Sequence, residues 1–408
     1  MNCNPNAFVN NILRGDKPSD IRSLIDPSSN SLVTEPQELK SLLQKHFANI
    51  FHCDVKEEEK VENEAPTWFR HLYQPKSSIR PEWYADLMQP FSDEETLSLV
   101  HSCGYFVAAG PDHVGAGIWR ILVEQSAVVR HVMAFYLSAC VRLSICPSSG
   151  KLSLIVPIPK KQHVENTLSN VRPISLQNAI VKLLMKGLAI RLVHIFQRHP
   201  ILHPAQEAFV KGGAPWKCVD VCLDIWEISK ECKRSCFCLF YDIEKAYDSV
   251  RKTSLLLALR RLRLPFSFVS LIADSLTDLF SCVRTRYGLT DTFPVLRSVR
   301  QGDPLAPLLY VIFMDAMHCG FEENPLFSNC HDGFDVDHSL KIASKGFADD
   351  TWIVSESLQG LYRLNVFANE WCVWNFLRLH PKKTKLAGRT ILGDCMKNVI
   401  VWNDCDND

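Results

Sequence analysis

Six consecutive apolar residues, Cys236-Phe237-Cys238-Leu239-Phe240-Tyr241, run directly into Asp242. Far down the chain two further acids, Asp349 and Asp350, sit between Gly346-Phe347-Ala348 and Thr351-Trp352-Ile353-Val354. Short apolar runs bounded by polar residues read as strands. The first is expected as a strand over 236–242 that ends on a carboxylate, and the second as a hairpin of strands 340–347 and 351–355 with the acidic doublet in its turn. Helix-like runs at 254–264 and 305–317 lie between them. Strands and helices in this order favour an α+β fold with an antiparallel sheet over a doubly wound parallel one. Taken singly, Asp commonly closes a strand or caps a helix, and Asp-Asp between apolar runs is an ordinary hairpin tip. Together, three carboxylates at strand ends can share two divalent cations, because hard oxygen ligands suit Mg²⁺ and a phosphate completes the shell. Two such ions, roughly 3.5–4 Å apart, activate a hydroxyl nucleophile and stabilise a leaving oxygen in phosphoryl transfer.

The neighbouring residues sharpen that reading. Past Asp242, Ile243-Glu244-Lys245-Ala246-Tyr247-Asp248-Ser249-Val250 is a polar turn leading into a helix over 253–264. Tyr247 is either a core aromatic that fills volume or a ring placed to collide with a ribose 2′-hydroxyl, which would favour deoxynucleotides. Between the acids, Arg300-Gln301-Gly302-Asp303-Pro304-Leu305-Ala306-Pro307 precedes an apolar helix. Gly302 permits a close backbone approach, and Pro304 and Pro307 suit a first helical turn.

Net charge is zero over 408 residues, so no global field draws in a polyanion and any nucleic-acid contact must be local. Two patches meet that need. Residues 151–198 hold eight Lys or Arg against the single acid Glu165, and the end of the chain holds Arg378, Lys382, Lys383, Lys385 and Arg389. Sixteen cysteines follow a polar, Asn-rich start with no apolar signal segment. Reduced thiols in the cytoplasm or nucleus of a non-secreted protein are expected. Cys218, Cys222, Cys232, Cys236 and Cys238 match no zinc-finger spacing and read as buried free thiols. No apolar run is long enough to span a membrane.

Several blocks recur in a fixed order across about 105–390: Gly110-Pro111-Asp112, Val156-Pro157-Ile158-Pro159-Lys160, Val171-Arg172-Pro173-Ile174-Ser175-Leu176, Gln206-Glu207-Ala208-Phe209, Tyr241 through Asp248, Arg300 through Leu305, Phe347-Ala348-Asp349-Asp350, and His380-Pro381-Lys382-Lys383-Thr384-Lys385. In these the chain resembles the reverse transcriptase domain of a non-LTR (LINE-type) retrotransposon. The resemblance implies a right-hand polymerase: fingers of helices and strands, an antiparallel-sheet palm with helices on one face, and a thumb largely missing. It divides the chain into a polar leader and linker (1–75), fingers (76–205), palm (206–375) and the end of the palm, truncated before the thumb (376–408). An upstream endonuclease domain is not expected within it.

The same resemblance implies RNA-directed DNA synthesis on an RNA template, with a DNA primer and deoxynucleoside triphosphates. Asp242, Asp349 and Asp350 would hold two Mg²⁺, with Mn²⁺ as a substitute; Asp349 is the stronger partner of Asp242, and Asp350 the less direct. Lys160 and Arg172 are assigned to the triphosphate, whose charge a planar guanidinium can meet bidentately. Gln301 and Gly302 are assigned to the template or nucleotide pocket. Lys383 is assigned to protonating or holding the leaving pyrophosphate, an ordinary surface lysine being the alternative. Two positions depart from the pattern, Val210 where the family carries Arg and His113 where it carries Gly. Oligomeric state stays open. A truncated relic that binds nucleic acid without turnover is the second reading. An RNA-dependent RNA polymerase or an intron-encoded maturase is a third, against which Ala348 and Tyr247 speak for DNA synthesis.

Overall fold

The computed structural model describes residues 21–53, 67–159, 167–168, 171–323, 326–327, 332–337 and 340–390. The acid-rich stretch 54–64, expected as a linker, lies outside them. The chain forms two compact units, each assembled from three stretches: 1–53, 84–191 and 265–306 make the first, and 54–83, 192–264 and 307–408 the second. The fold is mixed helix and sheet, as the α+β expectation required.

In the first unit the strands run in the order Val171–Leu176, Leu152–Pro159, Phe280–Thr285, Gly288–Leu289, with Phe293–Pro294 also paired to Phe280–Thr285. Leu152–Pro159 is antiparallel to Val171–Leu176 and parallel to Phe280–Thr285. Helix Pro36–Phe51 places Leu39, Leu43, Phe47 and Phe51 on one stripe, and that stripe is buried with Ile155, Val283 and Phe293. Helix Asp93–His101 is capped by Ser92, its Oγ accepting the Glu95 N–H at 3.1 Å ahead of three acids in the first turn. Pro111 and Asp112 form a turn in which Asp112 Oδ1 accepts the Val114 N–H at 3.1 Å, left-handed His113 follows (φ 57°), and the next helix is Ala116–Gln125. Helix Phe266–Ser275 and the strands over 280–294 were not anticipated.

The second unit carries a four-stranded antiparallel sheet in the order Ser344–Phe347, Asp350–Ser355, Cys236–Tyr241, Lys385–Arg389. A central strand that is apolar at every position must bury both faces. Cys236 and Cys238 pack with Trp352 and Val354 against Val221, Cys222, Ile225 and Ile228 of helix Pro215–Glu231. Tyr241 points the other way, its hydroxyl donating to Asn365 Oδ1 of helix Leu358–Trp374 at 2.9 Å. Helices therefore cover both faces, which corrects the one-face expectation.

Helix Ala306–Glu323 is apolar around its circumference and correspondingly buried, from Leu308 through Met314. It begins at Ala306, so Pro307 but not Pro304 lies in its first turn. Asp315 and His318 nevertheless sit inside it, both fully buried. The Nδ1 of His318 lies 3.0 Å from Ser344 Oγ. Burial first, then the neighbouring His203, pushes His318 down to about 3. An unfolded His titrates near 6.5, so between these values the native state binds fewer protons than the unfolded one. The stability contribution is full above pH 6.5 and declines as pH falls. Urea unfolding at pH 7.0 and 5.5 is expected to show a loss of about 1 kcal/mol from this group, absent in His318→Gln. Equal pH slopes for the two proteins would contradict a buried neutral imidazole.

Candidate active site

Register brings the acidic residues to the same end of the sheet. Thr351 pairs with Tyr241, which sets Asp350 across from Asp242 just past the strand end. Phe347 pairs with Asp350, so Ala348 and Asp349 form a two-residue hairpin turn. Turns of this length need left-handed backbone, and Ala348 supplies it at φ 57°, a strained conformation for a residue with a Cβ. Burial raises the Asp349 carboxyl, and the charges of Asp350 and Asp242 raise it further. Asp350 is exposed.

A cation already stands on the first acid. Lys383 Nζ lies 2.9 Å from Asp242 Oδ2. The backbone holds it there: His380 N–H donates to Asp242 O at 2.7 Å, Glu244 N–H donates to Arg378 O at 2.8 Å, and strand Lys385–Arg389 continues the pairing along Cys236–Tyr241. Both side chains are partly open to solvent, 61% for Lys383 and 38% for Asp242, so the pair contributes little to stability. What matters is that the carboxylate oxygen can be reached by a cation. Tyr247 stacks on Tyr310 with ring centroids 4.7 Å apart and planes at 20°. Burial and then Asp349 push Tyr247 up to about 12, so it remains a neutral phenol at neutral pH. Its partner Tyr310 is fully buried.

Among the described residues no set of three or more Asp, Glu, His or Cys side chains closes around one point. The donor chemistry still suits hard divalent ions, since Asp349 is destabilised by its own acidic neighbours and Asp242 accepts a cation. Mg²⁺ keeps several waters and takes the remaining ligands from phosphate, so one or two carboxylates suffice. Asp242 and Asp349 are the residues that would hold it, with Asp350 beside them in register.

The other expected residues belong to the first unit. Lys160 lies outside the described residues. Arg172 is exposed on its strand, opposite Ile158. The backbone carbonyl of Gln301 accepts the Ser175 N–H at 2.8 Å. Gly302 has φ 108°, and a Cβ there would stand 2.8 Å from Ser175 O. Its close backbone approach is thus to the neighbouring strand, and only glycine fits it.

The basic stretch 151–198 is less open than its composition implied. Lys151 pairs with Asp274 at 3.0 Å, Lys182 is half-buried near the charge of Asp303, and Lys186 Nζ donates to Ser102 O at 2.6 Å. Arg191 pairs with Glu95 at 2.6 Å and also donates to the carbonyls of Leu87, Gln89 and Pro90. Lys151, Lys186 and Arg191 are thus committed internally. Of the five cysteines singled out, Cys218, Cys236 and Cys238 are buried and free, Cys222 is half-buried and Cys232 is exposed. One residue of the site had been given no task in the sequence reading: Gln206, buried beside the acidic turn.

A family model for reverse transcriptase (RNA-dependent DNA polymerase) matches residues 158–393, more than half of the chain. The chain belongs to that family, and its domain is of the non-LTR retrotransposon type that the ordered blocks implied. Similar proteins include the Retrovirus-related Pol polyprotein from type-1 retrotransposable element R2 of Nasonia vitripennis, 27% identical over 296 residues, covering 72% of this chain and 26% of that protein. The protein of the same name from Popillia japonica is 31% identical over 202 residues, 49% of this chain and 27% of its own length. The probable RNA-directed DNA polymerase from transposon BS of Drosophila melanogaster is 24% identical over 303 residues, 73% and 32% of the two chains. The chain thus spans between 26% and 32% of the length of these relatives. No described helix is long and apolar enough to cross a membrane.

Proposed function

We propose that this chain copies an RNA template into DNA, adding deoxynucleotides to a primer 3′-hydroxyl as the polymerase part of a retrotransposon protein. The observation that carries the reading is the hairpin register that brings Asp349 and Asp350 beside Asp242. Bound divalent ions would supply activation of the hydroxyl and neutralisation of phosphate charge. The chain's own residues do the rest by position and charge. Asp242 and Asp349 would hold the ions, with Asp350 adding to the local negative potential. Lys383, on a long exposed tether, moves from Asp242 to the departing pyrophosphate and gives it a proton or a balancing charge. By the family resemblance we assign Arg172 and Lys160 of the first unit to the triphosphate, and Gln301 and Gly302 to template or nucleotide.

We read the second unit's four-stranded sheet as the palm and the first unit as the fingers. The free cysteines support a reducing compartment, cytoplasm or nucleus. The family match and the register that sets Asp350 across from Asp242 do not favour the inactive relic.

The stack on Tyr310 fixes the Tyr247 ring, which lets it act as a wall against a ribose 2′-hydroxyl. The test is primer extension by the purified chain on poly(rA)·oligo(dT) with Mg²⁺, where no incorporation would overturn the reading. In the same assay, Tyr247→Ala is expected to raise UTP use relative to dTTP, in kcat/KM, on the order of tenfold or more. An unchanged ratio would return Tyr247 to the core.

A further inference from the structure

Strand Ser344–Phe347 is the edge of its sheet, and an edge strand presents N–H and C=O groups that need partners. The segment 204–208 covers this edge. Gly346 N–H donates to Ala205 O at 2.9 Å and Glu207 N–H donates to Gly346 O at 2.9 Å, so Gln206 lies alongside Gly346 in a parallel bridge. Lys345 Nζ reinforces the contact, donating to Pro204 O at 3.0 Å and to Glu207 Oε1 at 2.7 Å.

The Gln206 side chain reaches further, to the turn itself. It is 1% exposed, and its Oε1 accepts two backbone N–H groups, from Ala208 at 3.1 Å and from Ala348 at 3.0 Å. Ala348 is the strained left-handed residue immediately before Asp349. Its φ decides where the following carboxylate points, and a buried amide oxygen is what fixes its N–H. The Nε2 of Gln206 has no partner among the described residues. The residue is thus used for its acceptor end alone, an unusual economy for a buried amide.

We propose that Gln206 is a positioning residue, which sets the Asp349 carboxylate by holding the Ala348 N–H in the left-handed turn. The activity arm of the proposal rests on the polymerase reading above; the structural arm does not. Loss of the acceptor lets Ala348 leave its strained conformation and carries Asp349 away from Asp242. Methionine keeps the volume of glutamine without a strong acceptor, whereas glutamate keeps an acceptor oxygen in the same place.

The experiment uses the full chain with three readouts: amide hydrogen exchange resolved to Ala348, Mn²⁺ binding by the chain alone, and steady-state extension. In Gln206→Met the Ala348 amide is expected to exchange about tenfold faster, while Ile353 and Val354 in the adjoining strand keep wild-type protection. Mn²⁺ binding weakens, and kcat falls at least tenfold with KM for dTTP little changed. Gln206→Glu restores Ala348 protection. Wild-type protection of Ala348 in Gln206→Met would overturn the proposal, as would a loss of protection spread evenly over the sheet, which would mark a general packing role. If the wild-type chain extends no primer, the polymerase reading fails, and exchange with Mn²⁺ binding still decides the role of Gln206.

Discussion

Asp349→Ala is expected to abolish primer extension, lowering the rate by about 10³-fold or more, while leaving the chain at least as stable as the wild type. Charge neutralisation by metal is worth several kcal/mol in the transition state, and each 1.36 kcal/mol is about tenfold in rate. The stability half follows from the electrostatics of the turn. Burial and the charges of Asp350 and Asp242 raise the Asp349 carboxyl above its unfolded value. Above the unfolded value, about 3.9, the native state binds more protons than the unfolded one, and stability is lost as pH rises through that interval. At pH 7 without metal the ionised group is therefore a liability, and removing it relieves the fold. Extension kinetics and a thermal scan in EDTA test both halves. Extension within tenfold of wild type would remove Asp349 from the reaction, and a midpoint several degrees lower would make it a structural residue.

The second large effect lies away from the chemistry. Asp315→Ala is expected to cost about 3–5 kcal/mol of folding stability, the usual result of breaking one side of a buried ion pair. Asp315 is fully buried and accepts hydrogen bonds from Lys76 Nζ at 2.8 Å, from the His203 backbone N–H at 2.6 Å, and from Arg261. Arg261 is itself buried and donates to Leu72 O at 2.8 Å, so truncating Asp315 strands a guanidinium in the core. Burial alone would raise this carboxyl, but Lys76 and Arg261 override it and hold it at about 2. Depressed in the native state, it contributes stability that is fully present above pH 4 or so and lost as pH falls towards about 2. Denaturant unfolding at pH 7 measures the deficit, and the gap between variant and wild type should narrow below pH 4. A deficit under about 1 kcal/mol at pH 7 would mean that water replaces the hub.

The carboxylates were legible because their strands are. The uninterrupted run from Cys236 to Tyr241 reads as a strand, though its burial on both faces was not drawn from it, and the short apolar runs flanking Asp349 and Asp350 give a hairpin. The second covering helix was harder to see. Pro215–Glu231 keeps Trp216, Val219 and Leu223 exposed as well as Ile225 buried, so its apolar residues mark no single face. The basic stretch misled because its internal partners, Glu95 for Arg191 and Asp274 for Lys151, come from remote parts of the chain. Gln206 was visible as part of a family block, but its task was hidden for the same physical reason. A glutamine becomes a buried acceptor only when the edge it covers has formed, and nothing in its neighbours announces that edge. Lys383 was visible as a charge but not as a partner of Asp242, since antiparallel pairing over 378–389 creates the contact.

The strand that delivers Asp242 is clamped by a helix on each face and by a strand on each side. Its tip therefore behaves as a fixed anvil that cannot follow a substrate. Under the proposed synthesis, repeated addition would need something to travel with each departing product, and the lysine arm resting on this anvil is the side chain with that freedom. Rigidity in the sheet and slack in a single side chain would then divide the labour of every cycle.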